Sequence, residues 1–261
     1  MSVTALPTRP VGQLLRDWRE RRRLSQLELS NQAEISTRHL SFVETGRSRP
    51  TPEMILRLSE RLDVPLRERN LLLLAGGYAP AYPQHGLDEP ELASVRTALR
   101  LVLAGHEPCP ALVINRWWEL LDANAAVGVI TAGCAPHLLK PPVNVLRLSL
   151  HPDGMAPRIA NLAQWRTHLL GQVRRRAGET GDERLTELHD ELADYPGGTD
   201  STLAPSNVVL PLRLRHEAGE LSFFTIAAKV ETAGDVTVDE LTIETFYPAD
   251  RETTDRLRSL V

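Results

Sequence analysis

The stretch Leu24–Pro52, LSQLELSNQAEISTRHLSFVETGRSRPTP, constrains this chain more than any other, because helix starts and stops crowd into it. Ser25 followed by Glu28 forms a capping box, in which each side chain satisfies a backbone N–H of the other's turn. The helix it starts turns Leu29 and Ala33 inward. Ile35 plugs the following turn, and Ser36 is placed to cap a second helix anchored from beneath by Leu40 and Val43. Gly46 supplies the left-handed residue that ends it. Thr51-Pro52 then caps a further helix with proline in its first turn.

Around this pair the apolar spacing fills in three more helices. Val11, Leu14, Leu15 and Trp18 recur at helical period before it. Ile55, Leu58 and Leu62 do so after it, and a fifth helix follows Pro65 and stops at Gly76-Gly77. With Leu40 and Val43 inward, Thr37, Arg38, Ser41 and Phe42 are expected on the exposed side of the second capped helix.

Charge agrees with a nucleic-acid partner for this part of the chain. The net charge of −4 hides an uneven spread: residues 1–75 carry 13 Arg against 9 Asp and Glu, while the rest carries 17 Lys and Arg against 25 Asp and Glu. A basic head on an acidic body suits a DNA-binding module joined to a domain with another task.

Leu24-Ser25-Gln26, Leu29, Ala33, Ile35-Ser36, Leu40-Ser41, Glu44-Thr45-Gly46 and Arg47-Ser48-Arg49-Pro50 resemble the Xre family of helix-turn-helix regulators, which includes the phage repressors and Cro. The resemblance covers residues 11–75 and implies an all-α, five-helix, lambda-repressor-like fold. It departs at Glu34, where the family's turn usually has glycine, and at Ser30, where it usually has alanine. A helix of this length fits the major groove, whose edges distinguish all four base pairs. Arg38 is expected to pair with guanine, Thr37 and Phe42 to meet a thymine methyl, and Ser41 to serve either purpose. Gln26 matches the family position that grips a phosphate at a helix N-terminus. Arg47 and Arg49 on the exit loop suit the neighbouring backbone, and Arg21–Arg23 adds long-range attraction. Such regulators bind as dimers to half-sites about one DNA turn apart, ~34 Å. The head has no spare apolar stripe, so a homodimer is expected to form through the body.

Gly76–Pro90 is rich in glycine and proline, and a linker is expected over residues 78–90 between a head at 11–77, preceded by a flexible tail at 1–10, and a body at 91–261. The body opens with a helix from Glu91 to Gly105. Pro110–Asn124 follows as a strand, a turn at Asn115-Arg116, a second strand and a helix starting near Asp122, which looks like the opening of a PAS-type domain. Helices are expected around Ile159–Val173 and Leu185–Tyr195. The period then changes to two: Val208–Leu214, Leu221–Val230 and Leu241–Tyr247 read as strands, with a closing helix at Asp250–Leu260. The expected body is α+β, a five-stranded antiparallel sheet with helices on one face.

Ala75-Gly76-Gly77-Tyr78, the Pro110–Ala126 segment, Asn144-Val145-Leu146-Arg147 and the Arg213–Pro248 meander resemble MmyB-like regulators, in which an Xre head precedes a PAS-like ligand-binding domain. That resemblance covers nearly the whole chain and implies a sensor of a small lipophilic, fatty-acid-like molecule. Expected lining residues are Leu112, Ile114, Trp118, Leu120, Trp165, Phe223 and Phe224, with Arg116, Arg158 and Arg166 as candidate cations for a carboxylate. An alternative is a body that only dimerises or binds a protein partner.

No HExxH, GxSxG, P-loop or paired CxxC motif occurs, so no enzyme activity, cofactor or metal site is expected. Cys109 and Cys134 are read as reduced thiols. With no signal peptide core or membrane-length apolar run, the protein is expected to be cytoplasmic, its partners a double-stranded DNA operator and a small ligand, with no membrane association.

Overall fold

A computed structural model describes residues 9–198, 209–230 and 233–260. The chain divides into two compact units: residues 1–86 with 231–239, and residues 87–230 with 240–261. The tail expected at 1–10 lies almost wholly outside the described residues.

Residues 9–86 of the first unit form α1 (Val11–Arg21), α2 (Gln26–Gln32), α3 (Thr37–Glu44), α4 (Pro52–Arg61) and α5 (Leu66–Ala75). The caps expected from sequence are made. The Ser25 hydroxyl accepts from the Glu28 N–H at 3.2 Å while the Glu28 carboxylate accepts from the Ser25 N–H at 2.7 Å. Ser36 and Thr51 accept from His39 and Met54. Leu15, Trp18, Leu29, Leu40, Val43, Ile55, Leu58, Leu62, Leu72 and Leu73 close into one core. Gly12 has no periodicity to announce it, yet a Cβ there would lie 2.1 Å from the Val43 carbonyl oxygen. The first and third helices touch backbone to backbone at that point.

Both departures from the family pattern have a structural account. Ser30 is fully buried, and its hydroxyl bonds the Leu27 carbonyl at 2.9 Å and the Thr37 hydroxyl at 2.8 Å, tying α2 to α3. Glu34 takes the left-handed conformation that glycine would take, with φ 54°, and the Ile35 N–H then bonds back to the Ser30 carbonyl at 3.0 Å. That conformation costs a residue with a Cβ roughly 1–2 kcal/mol, partly returned because glycine loses more chain entropy on folding. Glu34→Gly is therefore expected to stabilise the protein by about 0.5–1 kcal/mol, read as a raised melting temperature.

The Gly-Pro segment after α5 is strapped to this unit. Asn70 accepts from the Ala81 and Tyr82 N–H groups and donates to the Tyr82 carbonyl, and the Tyr78 hydroxyl donates to the Pro50 carbonyl. Residues 231–239, which lie between two strands of the body in sequence, belong here too. The Asp235 carboxylate accepts from the His85 N–H at 3.1 Å and lies 2.8 Å from its Nδ1, and the Thr237 hydroxyl donates to the His85 carbonyl. The Val236 N–H reaches the Pro83 carbonyl, and the Leu66 N–H the Asp239 carboxylate.

The second unit begins with α6 (Ala93–Gly105) and a hairpin of β1 (Ala111–Ile114) and β2 (Leu120–Ala123). Asn115 holds the turn, its side-chain oxygen accepting from the N–H groups of Trp117 and Glu119, and Trp118 goes left-handed at φ 60°. Asp122 is not a helix start: it pairs with Val113 inside β2, and the next helix is α7 (Val127–Thr131). There follow α8 (Val145–Leu150), capped by Asn144, and the longer α9 (Leu162–Thr180) and α10 (Glu183–Asp194). Then come β3 (Leu212–His216), β4 (Gly219–Lys229), β5 (Thr242–Pro248) and α12 (Arg251–Leu260), while α11 (Val236–Glu240), between β4 and β5 in sequence, belongs to the first unit up to Asp239. Val208 lies outside the described residues, and Leu210 precedes the strand expected to contain it.

The five strands form one antiparallel sheet in the order β2-β1-β5-β4-β3, so the first and last strands of the unit pair at its centre. Leu112 and Ile114 join the main core, whereas Ala111 and Val113 pack with Leu99 and Leu103 of α6. Helices therefore lie on both faces of β1 rather than on one, because a central strand buried on both sides needs an apolar cover for each.

Candidate DNA-contacting helix and ligand cavity

In the first unit the helix expected to enter DNA is held by an ion pair that sequence spacing does not announce. Glu44 at the end of α3 is buried; its carboxylate accepts from Arg19 Nε at 2.7 Å and Arg19 Nη2 at 2.9 Å. Arg19 Nη1 donates to the Leu24 carbonyl, and the bond to Glu44 raises the guanidinium's pKa further above its ordinary value. The Gln26 amide also donates to Glu44, at 2.8 Å. Gln26 is thus oriented by the same carboxylate that clamps α3 to α1.

On the open side of α3, the Phe42 ring lies between two guanidiniums, Arg38 at 5.3 Å and Arg47 at 5.9 Å from its centre. Such contacts preorganise a cation over an aromatic face. Neither guanidinium has a hydrogen bond or ion pair among the described residues, so both keep their donors for an anion or a base edge. Ser41 is half-buried beside them, and the Thr37 hydroxyl is taken by Ser30. Arg49 is placed differently from expectation. Its Nη2 donates to the Gly76 carbonyl at 2.7 Å and its guanidinium lies over Tyr78, so it ties the exit loop to the end of α5. Arg22 is likewise spent on the Leu62 and Asp63 carbonyls.

In the second unit a cavity of about 800 Å³ opens between the sheet and α9, within the size range of small-molecule sites. Leu112, Trp118, Leu120 and Trp165 line it, together with Val127, Ile130, Leu146, Met155 and Leu169. Ile114 and Phe223 do not; both are fully buried side chains of the packed core, and Phe223 meets Phe246 edge to face. Phe224 faces the other way, because alternation along β4 turns Thr225 and Ala227 to the cavity and Phe224 and Ile226 out.

The three candidate cations are engaged elsewhere. Arg116 pairs with Glu240 at 2.9 Å and Asp182 at 3.2 Å, Arg158 donates to the Ile130 carbonyl, and Arg166 donates to the carbonyls of Ala193 in the last turn of α10 and of Gly198 just after it. The cations at the cavity are Arg175 and Arg176. Arg176 lies 4.0 Å from the Trp118 ring centre and donates to the Arg116 carbonyl; burial lowers its pKa. Gln172, whose amide meets His168, shares this wall, and burial lowers the His168 pKa. A signal for these was legible: His168, Gln172, Arg176 and Glu179 continue at helical spacing the face that carries Trp165 and Leu169.

Opposite them, the inner side of β5 presents Thr242, Glu244 and Phe246. The Glu244 carboxyl borders the cavity from a partly buried side chain, and desolvation raises its pKa to about 7 against the pull of Arg176. An acid with a raised folded-state pKa binds its proton more tightly in the native state. Its stabilising contribution is present at acid pH and is lost as pH rises from the unfolded value of about 4.3 through about 7. Glu244→Gln should therefore gain on the order of 1–2 kcal/mol at pH 8 and almost nothing at pH 4. Melting curves across that range check it; a gain independent of pH would contradict the assignment.

Residues 95–260 match the family model of the MmyB-like transcription regulator ligand binding domain, and residues 15–69 match a helix-turn-helix model. Among solved structures, that of an RNA-binding light-oxygen-voltage receptor aligns with 97 % of this chain at 15 % identity and a TM-score of 0.28. The chain covers 64 % of that receptor's length, and a likeness this weak carries no argument. No curated protein matches the chain.

Proposed function

The chain belongs to the MmyB-like transcription regulator ligand binding domain family, whose model spans more than half of it, and with its helix-turn-helix it is a DNA-binding transcription regulator with a ligand-binding domain. From that premise we propose that it is a cytoplasmic homodimer whose operator affinity is set by a lipophilic molecule bound between the sheet and α9. The cavity of about 800 Å³, walled largely by aliphatic side chains and tryptophan, is the observation that carries this reading. In the head, Arg38 reads bases while Arg47 and Gln26 bind the phosphate backbone; Arg49 serves the fold. Phe42 positions the two arginines as much as it meets a base.

One helix makes few contacts, so two heads must act together on paired half-sites. Phe224, Ile226 and Tyr247 form an exposed apolar row on the outer face of β4 and β5, a surface suited to a second copy of the chain. The proposed coupling follows the covalent chain. Both β4 and β5 border the cavity, and the residues joining them, 231–239, belong to the first unit and are fastened there through Asp235. A ligand that changes the spacing of β4 and β5 pulls on that segment. It shifts the population of DNA-competent heads only as far as its affinity differs between the two states.

Native mass spectrometry of the purified protein should show a co-purifying small molecule, and stripping it should change operator affinity. Asp235→Ala should keep both ligand and DNA binding but shrink the coupling between them, which typically amounts to about 5–150-fold. Operator affinity that stays flat from stripped to saturated protein would sink the sensor reading.

A further inference from the structure

Resting on the reading of the cavity as a ligand site, we propose that its occupant is an acyl chain ending in a neutral head with hydroxyl or amide N–H donors, rather than a bare fatty acid. The polar end of the cavity carries this. Thr225 and Thr242 both border it, and the side-chain oxygen of each is buried with no hydrogen-bond partner. Thr242 is 5 % exposed. A buried hydroxyl without a partner costs free energy that a suitably placed ligand group can recover.

Between them in the sheet lies Glu244, on the same face of β5 as Thr242 and paired in register with Ala227 of β4. The small alanine leaves the carboxyl open to the cavity, and no hydrogen bond or ion pair to it is made among the described residues. Glu244 and Thr242 stand two residues apart on that face of β5, about 7 Å, while Thr225, opposite Phe246, lies two rows beyond Glu244 in the other direction. From α9 across the cavity, Arg176 is already stacked on Trp118 and bonded to the Arg116 carbonyl.

A fatty-acid carboxylate brings acceptors and a charge. Beside Glu244, whose ionised form burial already disfavours, it adds a second negative charge and brings no donor of its own. A head with O–H or N–H donors satisfies Glu244 and the neighbouring Thr242 together, while its carbonyl faces Arg176. Donor and acceptor inventories then match without burying a second negative charge.

The test uses the full chain, stripped of co-purified molecules, and three probes with the same twelve-carbon acyl group: 1-monododecanoylglycerol, sodium dodecanoate and methyl dodecanoate. Calorimetry should find the glycerol ester binding roughly tenfold or more tighter than either of the others, as two or three net hydrogen bonds allow. Thr242→Val, close in shape, should weaken the glycerol ester several-fold and leave methyl dodecanoate unchanged. Dodecanoate binding as tightly as the glycerol ester, or Thr242→Val weakening all three alike, would overturn the head-group assignment. Methyl dodecanoate binding as well as the glycerol ester would overturn it too, while leaving the cavity a ligand site. If none of the three binds, the reading of the cavity falls with the proposal.

Discussion

Glu44→Ala is expected to lower the stability of the DNA-binding unit by about 3–5 kcal/mol, because it removes one partner of a buried ion pair. The Arg19 guanidinium cannot follow: its Nη1 stays bonded to the Leu24 carbonyl, and its one remaining acid neighbour among the described residues is the exposed Glu20 at 3.7 Å. Gln26 loses its anchor in the same step. Folded domains hold only about 5–15 kcal/mol in reserve, so the head should melt well below the wild type and bind all DNA sequences more weakly at 37 °C. Glu44→Gln keeps the shape and one acceptor, and should cost less. Thermal melts followed by circular dichroism decide the matter; a shift of only a degree or two for the alanine variant would show that the pair is replaceable by water.

Arg38→Ala is expected to act on recognition instead. A bidentate arginine–guanine contact discriminates by about 1–3 kcal/mol, so operator affinity should fall roughly tenfold to a hundredfold while weak binding to unrelated DNA persists. Arg47→Ala should weaken both kinds of DNA alike and reduce the slope of log affinity against log salt by about one. Anisotropy titrations at several salt concentrations separate the two. Equal losses on operator and random DNA for Arg38→Ala would assign that residue to the phosphate backbone. Phe42 complicates neither variant's fold, since it sits half-buried between the two guanidiniums rather than in the core.

Local signals were legible where backbone chemistry is local. Ser25 with Glu28, Ser36, Thr51-Pro52 and Gly46 mark helix ends through groups only a few residues apart, and each does so in the structure. Glu34 is the instructive case. Its mismatch with the family's glycine marks the turn, and its φ of 54° shows that the turn keeps its geometry and bears the strain. The period of two in the last third of the chain likewise found β3, β4 and β5, although one boundary moved to Leu212.

The cavity was legible only in part, for a physical reason. An inward-facing residue at helical or strand period can fill a core or border a void, and period alone does not separate them. Ile114 and Phe223 meet other side chains on every side, whereas Leu112 and Trp165 leave one side open. Its cations could not be chosen from sequence, because every arginine has the same intrinsic charge. Arg116, Arg158 and Arg166 are distinguished from Arg176 only by the acids and carbonyls that the fold brings to them.

By itself, then, the sequence determined the two-part organisation, the helix-turn-helix and its exposed face, and the α+β character of the body. All of these follow from periodicity, caps and charge within short windows. Tertiary structure alone decided that Glu44 clamps the recognition helix, that Arg49 serves the fold, that residues 231–239 join the first unit, and that Glu244 faces a cavity. Each of these depends on partners tens to hundreds of residues away, such as Asp235 and His85, separated by 150 positions. Which distant partner a polar group meets depends on how the elements pack, and no local pattern encodes that.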